Sequence, residues 1–239
     1  DDTGDEARIE FRTISELDYY FMYGPEFDDI VLSYRDLTGA APMLPRWAFG
    51  YAQSKERYKT QAELLEVVRE YRERNIPLDL IILDWRSWVG ELWGQKSLDP
   101  ERFPDPDTMT EELHALGARL MVSIWPHMRN NGSNQVEMLK KEMLLGNRST
   151  YDAHNPSARE LYWKHANDGL FSHGIDSWWC DCTEPFEADW RGATLPETEA
   201  RMAINIAEQE KYLDPEFVSV YSLLHSAGIY EGQRKATDE

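Results

Sequence analysis

Two short apolar runs, Trp47 to Gln53 and Leu78 to Asp84, flank an amphipathic stretch from Thr60 to Arg74, and this order narrows the fold more than any other feature. Thr60 followed three residues later by Glu63 is a helix-start signature, so the stretch reads as a helix. A strand, a helix and a second strand joined by so long a crossover must pair in parallel. The pattern then continues: a loop from Trp85 to about Pro106, a helix near Thr108 to Leu116, and a third strand from Arg119 to Trp125. A long loop with helices runs through Lys164 to a fourth strand, Asp176 to Cys182. Helices are expected over Glu197 to Leu213 and Phe217 to Gly228. No sequence repeat accompanies the recurring structural unit.

All four strands end in polar or aromatic residues: Gln53, Asp84-Trp85, Trp125-Pro126 and Asp181. Short apolar runs followed by long loops rich in Trp, Asp and Pro fit the functional face of an α/β (β/α)8 TIM-type barrel. Four strands make only the first four βα units of such a barrel. A doubly wound open sheet is the alternative that periodicity leaves open. Residues 1–44 read differently. A polar lead, the alternation of Ala7 to Thr13 and the aromatic group Tyr19, Tyr20, Phe21 and Tyr23 suggest the end of a preceding β-rich element. Asp28 to Thr38 suits a short helix, and the two prolines between Gly39 and Pro45 mark a linker. The expected division is therefore 1–44 and 45–239.

At 239 residues, with 41% hydrophobic and 12% aromatic residues, the chain can bury a sizeable core. Its longest apolar runs are far too short to cross a bilayer. A formal net charge of -19 argues against a nucleic-acid partner, since phosphate binding relies on clustered Lys and Arg. Glu63, Glu66, Glu70 and Glu73 read as a solvated helix face. Cys180 and Cys182, two apart on a strand, lack disulfide geometry and read as small buried packing residues. His114, His127, His154, His165, His173 and His225 show no metal-ligand spacing, so no metal is assigned. His127 is the one near the expected rim.

The segment Trp178-Trp179-Cys180-Asp181-Cys182-Thr183-Glu184-Pro185 places a carboxylate where an aromatic strand stops and a Pro-broken loop begins. Asp181 is the candidate nucleophile. An acid in this position can equally be structural, pairing with an Arg or capping the next helix. Trp85, Trp125 and Trp179, at strand ends, are candidate platforms for flat ligand faces.

Together with Pro45 to Gly50, Gln53 to Tyr58, Asp84-Trp85, Arg102 to Pro106 and Trp125-Pro126, that segment resembles glycoside hydrolase family 31 over about residues 20–234. The form Trp-Trp-x-Asp-x-Thr-Glu-Pro is similar to the nucleophile region of its α-xylosidases. The resemblance implies a retaining α-glycosidase that removes terminal α-linked xylosyl or glucosyl residues through a covalent glycosyl-enzyme and needs no cofactor. Asp181 would be the nucleophile, and Asp84 would grip sugar hydroxyls. Trp85, Trp125 and Trp179 would lie against sugar rings. Glu184 would support the nucleophile loop, and His127 would reach the sugar. In the family the acid/base lies on a later strand, so the sequence is expected to be catalytically incomplete. Its open strand edges are then expected to favour homo-oligomers. An α-transglucosylase and a non-catalytic carbohydrate-binding fragment are the alternatives.

Overall fold

The computed structural model describes residues 14–184 and 197–237. The chain divides into two compact units, residues 1–46 and 47–239. In the first, the described residues contain one helix, α1 (Phe27–Thr38), and no strand. The Glu26 backbone N–H donates to Asp29 Oδ2 at 3.3 Å. Asp28 and Asp29 in the first turn, with Arg35 in the last, suit the helix dipole. The aromatic group Tyr19 to Tyr23 has no regular structure, which corrects the expected β-rich reading for those residues. A strand needs a pairing neighbour, and the described part of this unit offers none. The alternating stretch Ala7 to Thr13 lies outside the described residues.

In the second unit, β1 (Ala52–Gln53), β2 (Leu80–Leu83), β3 (Arg119–Ile124) and β4 (Ser177–Cys180) form one sheet in chain order. Every pairing is parallel. Helix α2 (Gln61–Glu73) joins the first pair of strands and α3 (Pro106–Ala115) the second. Helices α4 (Ser133–Lys140) and α5 (Pro156–Gly169) join the third. Doubly wound sheets reverse their strand order at a switch point, whereas this one never does, and the winding is that of a partial (β/α) barrel. Helices α6 (Thr198–Gln209) and α7 (Tyr221–Ala236) follow β4.

Local chemistry sets the helix starts. Thr60 accepts from the Glu63 backbone N–H at 3.1 Å to open α2, and Asp105 accepts from Thr108 N–H at 3.0 Å to open α3, with Pro106 at its first position. Asn155 and Pro156 do the same for α5. The first strand is shorter than its apolar pattern suggests. Residues 46–49 form a 3-10 turn instead, closed by Gly50 N–H on the Trp47 carbonyl at 3.1 Å. Pairing begins only where the Tyr51 carbonyl accepts from Asp79 and Leu80.

Strand side chains alternate between two layers. Ile81, Leu83, Leu120, Val122 and Ile124 join Leu64, Val68, Met109, Leu113, Leu161 and Trp163 in the core between sheet and helices. Trp178 and Cys180 pack onto that core from β4. The alternate positions, from Leu80 and Ile82 through Ser123 to Ser177 and Trp179, lie on the other side of the sheet. Helix α7 packs on α5 where Gly232 meets Trp163: a Cβ there would stand 2.2 Å from Trp163 Cγ. Replacing Gly232 with Ala gains about 1 kcal/mol of helix propensity, while overpacking costs roughly 1 to 3 kcal/mol and rises with overlap. At this separation the overlap wins. Gly232→Ala should lower the urea midpoint without changing the slope; a raised midpoint would contradict the close packing.

Candidate active site

Two carboxylates leave the sheet at its C-terminal edge. Asp84 follows β2 in phase with Leu80 and Ile82, and Asp181 follows β4 in phase with Ser177 and Trp179, so both belong to the side away from the helices. The Asp181 N–H donates to the Ile124 carbonyl at 3.0 Å and so extends the β3–β4 ladder to the acid itself. Asp181 Oδ1 accepts from Cys182 N–H at 2.9 Å, and Asp84 Oδ1 from Trp85 N–H at 2.8 Å. One oxygen of each is thereby anchored to the backbone. Among the described residues neither acid forms an ion pair within 4 Å, so the structural alternative of an Arg-paired acid finds no support there.

Asp84 senses Asp181. Burial pushes the Asp84 carboxyl above its usual range, the Trp85 N–H draws it back, and repulsion from Asp181, then Glu56, raises it again. Two carboxylates at the tips of β2 and β4, on the same side of the sheet with β3 between them, make a rim suited to hydroxyl-rich, uncharged ligands: each free oxygen can accept from a hydroxyl, and either can act as nucleophile.

The aromatic residues divide. Trp179 is 49% exposed on the inner side of β4 and offers an open ring face. Trp85 is half-buried, with its ring 5.3 Å from that of Trp93, and the Arg86 guanidinium lies 5.1 Å from its centre. Trp125 differs from expectation. It is buried, its indole N–H donates to Ser123 Oγ at 3.2 Å, and its ring meets Trp93 edge-on at 5.2 Å. It supports the rim from below instead of presenting a face.

His127 is a second correction, because the residues after β3 turn inward beneath later chain. Its backbone forms a bridge with Thr150, and the side chain is buried. Burial, then the Arg129 and Lys96 charges, lowers its imidazole pKa to about 3, so it is neutral and away from any exposed ligand. Glu184 is exposed at the start of the loop after β4, and its carbonyl accepts from the Gln209 amide. Residues 185–196 lie outside the described residues. Cys180 and Cys182 are both half-buried thiols, not fully buried packing residues. Cys182, at φ 53°, has left the strand and does not share a face with Cys180. Burial pushes the Cys180 thiol up to about 11. No group of three His, Cys, Asp or Glu able to hold a metal occurs among the described residues. Trp93, half-buried between Trp85, Trp88 and Trp125, joins the rim without having been singled out from sequence. Its only local signal was the density of Trp in that loop.

Residues 41–239 match the family model of the glycosyl hydrolases family 31 TIM-barrel domain. The chain belongs to glycosyl hydrolase family 31. It is 38% identical over 232 residues to an alpha-xylosidase of Saccharolobus solfataricus, covering 97% of this chain and 31% of that protein. Alpha-xylosidase A of Aspergillus niger is 27% identical, with 98% of this chain and 36% of the relative covered. Among solved family 31 structures, an alpha-xylosidase from Xanthomonas citri superposes with a TM-score of 0.76 at 33% identity, over 89% of this chain and 24% of that one. The chain thus spans about a third of the length of the curated relatives it matches.

A carboxyl whose folded pKa is raised binds its proton more tightly in the folded state. Its ionisation therefore costs stability above the folded pKa, and that cost disappears below the unfolded one. Asp84→Asn keeps the acceptor for Trp85 N–H and removes the charge. The variant should melt higher than the parent at neutral pH by a few degrees at most, with the gap closing near about pH 3. A lower midpoint at neutral pH would mean that a favourable partner holds the ionised Asp84.

Proposed function

We propose that this chain carries the nucleophile-bearing part of a retaining α-glycosidase, with α-xylosidase as the first reading. The observation that carries it is the pair of unsalted strand-tip carboxylates, Asp84 and Asp181, on the rim of a family 31 barrel unit. The relatives support the substrate class: they are alpha-xylosidases and alpha-glucosidases. One solved xylosidase of the family, 33% identical, is described as complexed with xylose.

Asp181 attacks the anomeric carbon through the carboxylate oxygen not anchored to Cys182. The bond from C1 to the leaving oxygen breaks as the bond from C1 to the Asp181 carboxylate oxygen forms, and water later resolves the glycosyl ester with retention. A carboxylate serves because it is ionised at neutral pH and stabilises an oxocarbenium-like centre at close range. Asp84, in part shielded from water and pushed toward protonation, accepts hydroxyl hydrogens through its free oxygen and orients the ring. Trp179 and Trp85 provide apolar faces for the C–H surfaces of the sugar. Glu184 supports the loop that follows the nucleophile. Protonation of the leaving group falls to an acid other than Asp84 and Glu184.

An activated 5-fluoro-α-xylosyl fluoride tests this without requiring the acid, because fluoride departs unprotonated. The carboxylate oxygen of Asp181 bonds to C1 as the C1–F bond breaks. Mass spectrometry of digested protein should find the sugar on the peptide containing Asp181, and Asp181→Asn should abolish it. A sugar attached to a different carboxylate, or none at all, contradicts the assignment.

A further inference from the structure

Lys96 is the one Lys or Arg that is buried among the described residues, at 2% exposure, and no carboxylate lies within ion-pair distance of it there. Taking an ammonium out of water without a counter-charge is costly, so its place has to be explained by what it holds. Its Nζ donates to the Gly94 carbonyl at 2.8 Å and to the Trp125 carbonyl at 2.8 Å, and sits 4.2 Å from the centre of the Tyr162 ring. Three N–H donors thus meet two carbonyl oxygens and one π face, which is the whole donor set of an ammonium. The Trp125 carbonyl accepts a second bond from Tyr162 Oη at 2.9 Å.

The two carbonyls belong to different parts of the rim. Gly94 follows Trp93 in the loop after β2, the loop that also carries Trp85 and Trp88, while Trp125 immediately follows β3. That loop runs so close to the β3 tip that a Cβ at Gly94 would stand 1.8 Å from the His127 carbonyl, and φ at Gly94 is +69°. Arg129 N–H adds a bond to the Trp93 carbonyl at 3.0 Å. The Lys96 backbone is itself fixed, its N–H donating to Asn134 Oδ1 at 2.8 Å. The Trp93 ring lies between Trp85 and Trp125, at 5.3 and 5.2 Å.

We propose that Lys96 is a positioning residue for the sugar-binding rim: its Nζ clamps the tryptophan-bearing loop to the tip of β3 and so fixes the Trp85–Trp93–Trp125 array beside Asp84. This rests on the reading that the rim binds a sugar. An apolar side chain of the same length fills the space but leaves the Gly94 carbonyl without its donor, so the loop loses its direct tie to the end of β3 and keeps the backbone bonds from Arg129 and to Asn134. The clamp acts through the tryptophans, not by touching substrate.

The intact polypeptide, its Lys96→Met and its Tyr162→Phe variants are compared by near-UV circular dichroism and by methyl α-xyloside titration followed through tryptophan fluorescence. Lys96→Met should keep its far-UV spectrum, lose the near-UV signature of the coupled indoles and bind the sugar about tenfold more weakly. Tyr162→Phe, which removes one of two donors from the same carbonyl, should weaken binding about two- to threefold. Parent-like near-UV spectrum and affinity in Lys96→Met would overturn the proposal. Should that variant fail to fold, a parent-like Tyr162→Phe overturns it instead. A parent with no sugar-dependent signal sinks the glycosidase reading, and the near-UV comparison then still decides the clamp.

Discussion

Parallel pairing of β2, β3 and β4 in strict chain order is what the candidate site depends on. The register Leu83 with Val122 and Ile124 with Cys180 brings the strand ends to a common edge, and the two-residue alternation then selects which side each terminal side chain takes. Because Ile81, Leu83, Val122, Ile124 and Cys180 are drawn into the helix-side core, Asp84 and Asp181 are forced to the opposite side. A slip of one residue in either pairing would send one acid into the apolar layer and separate the pair. The hydrophobic core therefore sets the geometry of the polar site.

Around that edge the electrostatics are sparse, which suits a sugar. Ligands built of hydroxyls and apolar ring faces need acceptors, donors and flat surfaces more than fixed countercharges. The rim supplies two carboxylates with one oxygen each committed to the backbone, and indoles at different depths. Trp179 is open, Trp85 and Trp93 are partly covered, and Trp125 forms the floor. Below the floor, Lys96 and Tyr162 hold strand end and loop together, and the His127 side chain is buried near them. His127 and Lys96 are both buried, and that burial draws the imidazole and the ammonium below their ordinary pKa values.

Much of this was legible in the sequence where local rules dominate. Helix α2 begins at Thr60 as read, because a short polar side chain caps the first free N–H groups, a purely local event; the same chemistry at Asp105 starts α3 ahead of the expected Thr108, and at Asn155 it starts α5, which the sequence alone leaves without bounds. The cores of β2, β3 and β4 stood out as apolar runs, and Asp84 and Asp181 stood out as acids ending them. The pattern failed where a residue's environment comes from distant chain. Trp47 and Phe49 look like strand residues but sit in a turn, since pairing with β2 starts only at Tyr51. Trp125 and His127 follow a strand and so resembled rim residues, yet the segment around Thr150 closes over them. Lys96 carried no signal at all: a lysine in a loop reads as solvent-facing until Tyr162 and two carbonyls from separate segments surround it.

The account turns on two carboxylates confronting each other across one edge of the sheet. Carbon-13 NMR of the side-chain carboxyls, following Asp84 through an acid titration in the parent and in Asp181→Asn, measures that directly. The expected result is a midpoint for Asp84 above the ordinary aspartate range that moves down when the Asp181 charge is removed. An Asp84 midpoint indifferent to Asp181, or one already at or below the ordinary range in the parent, would mean that the two groups do not share a site.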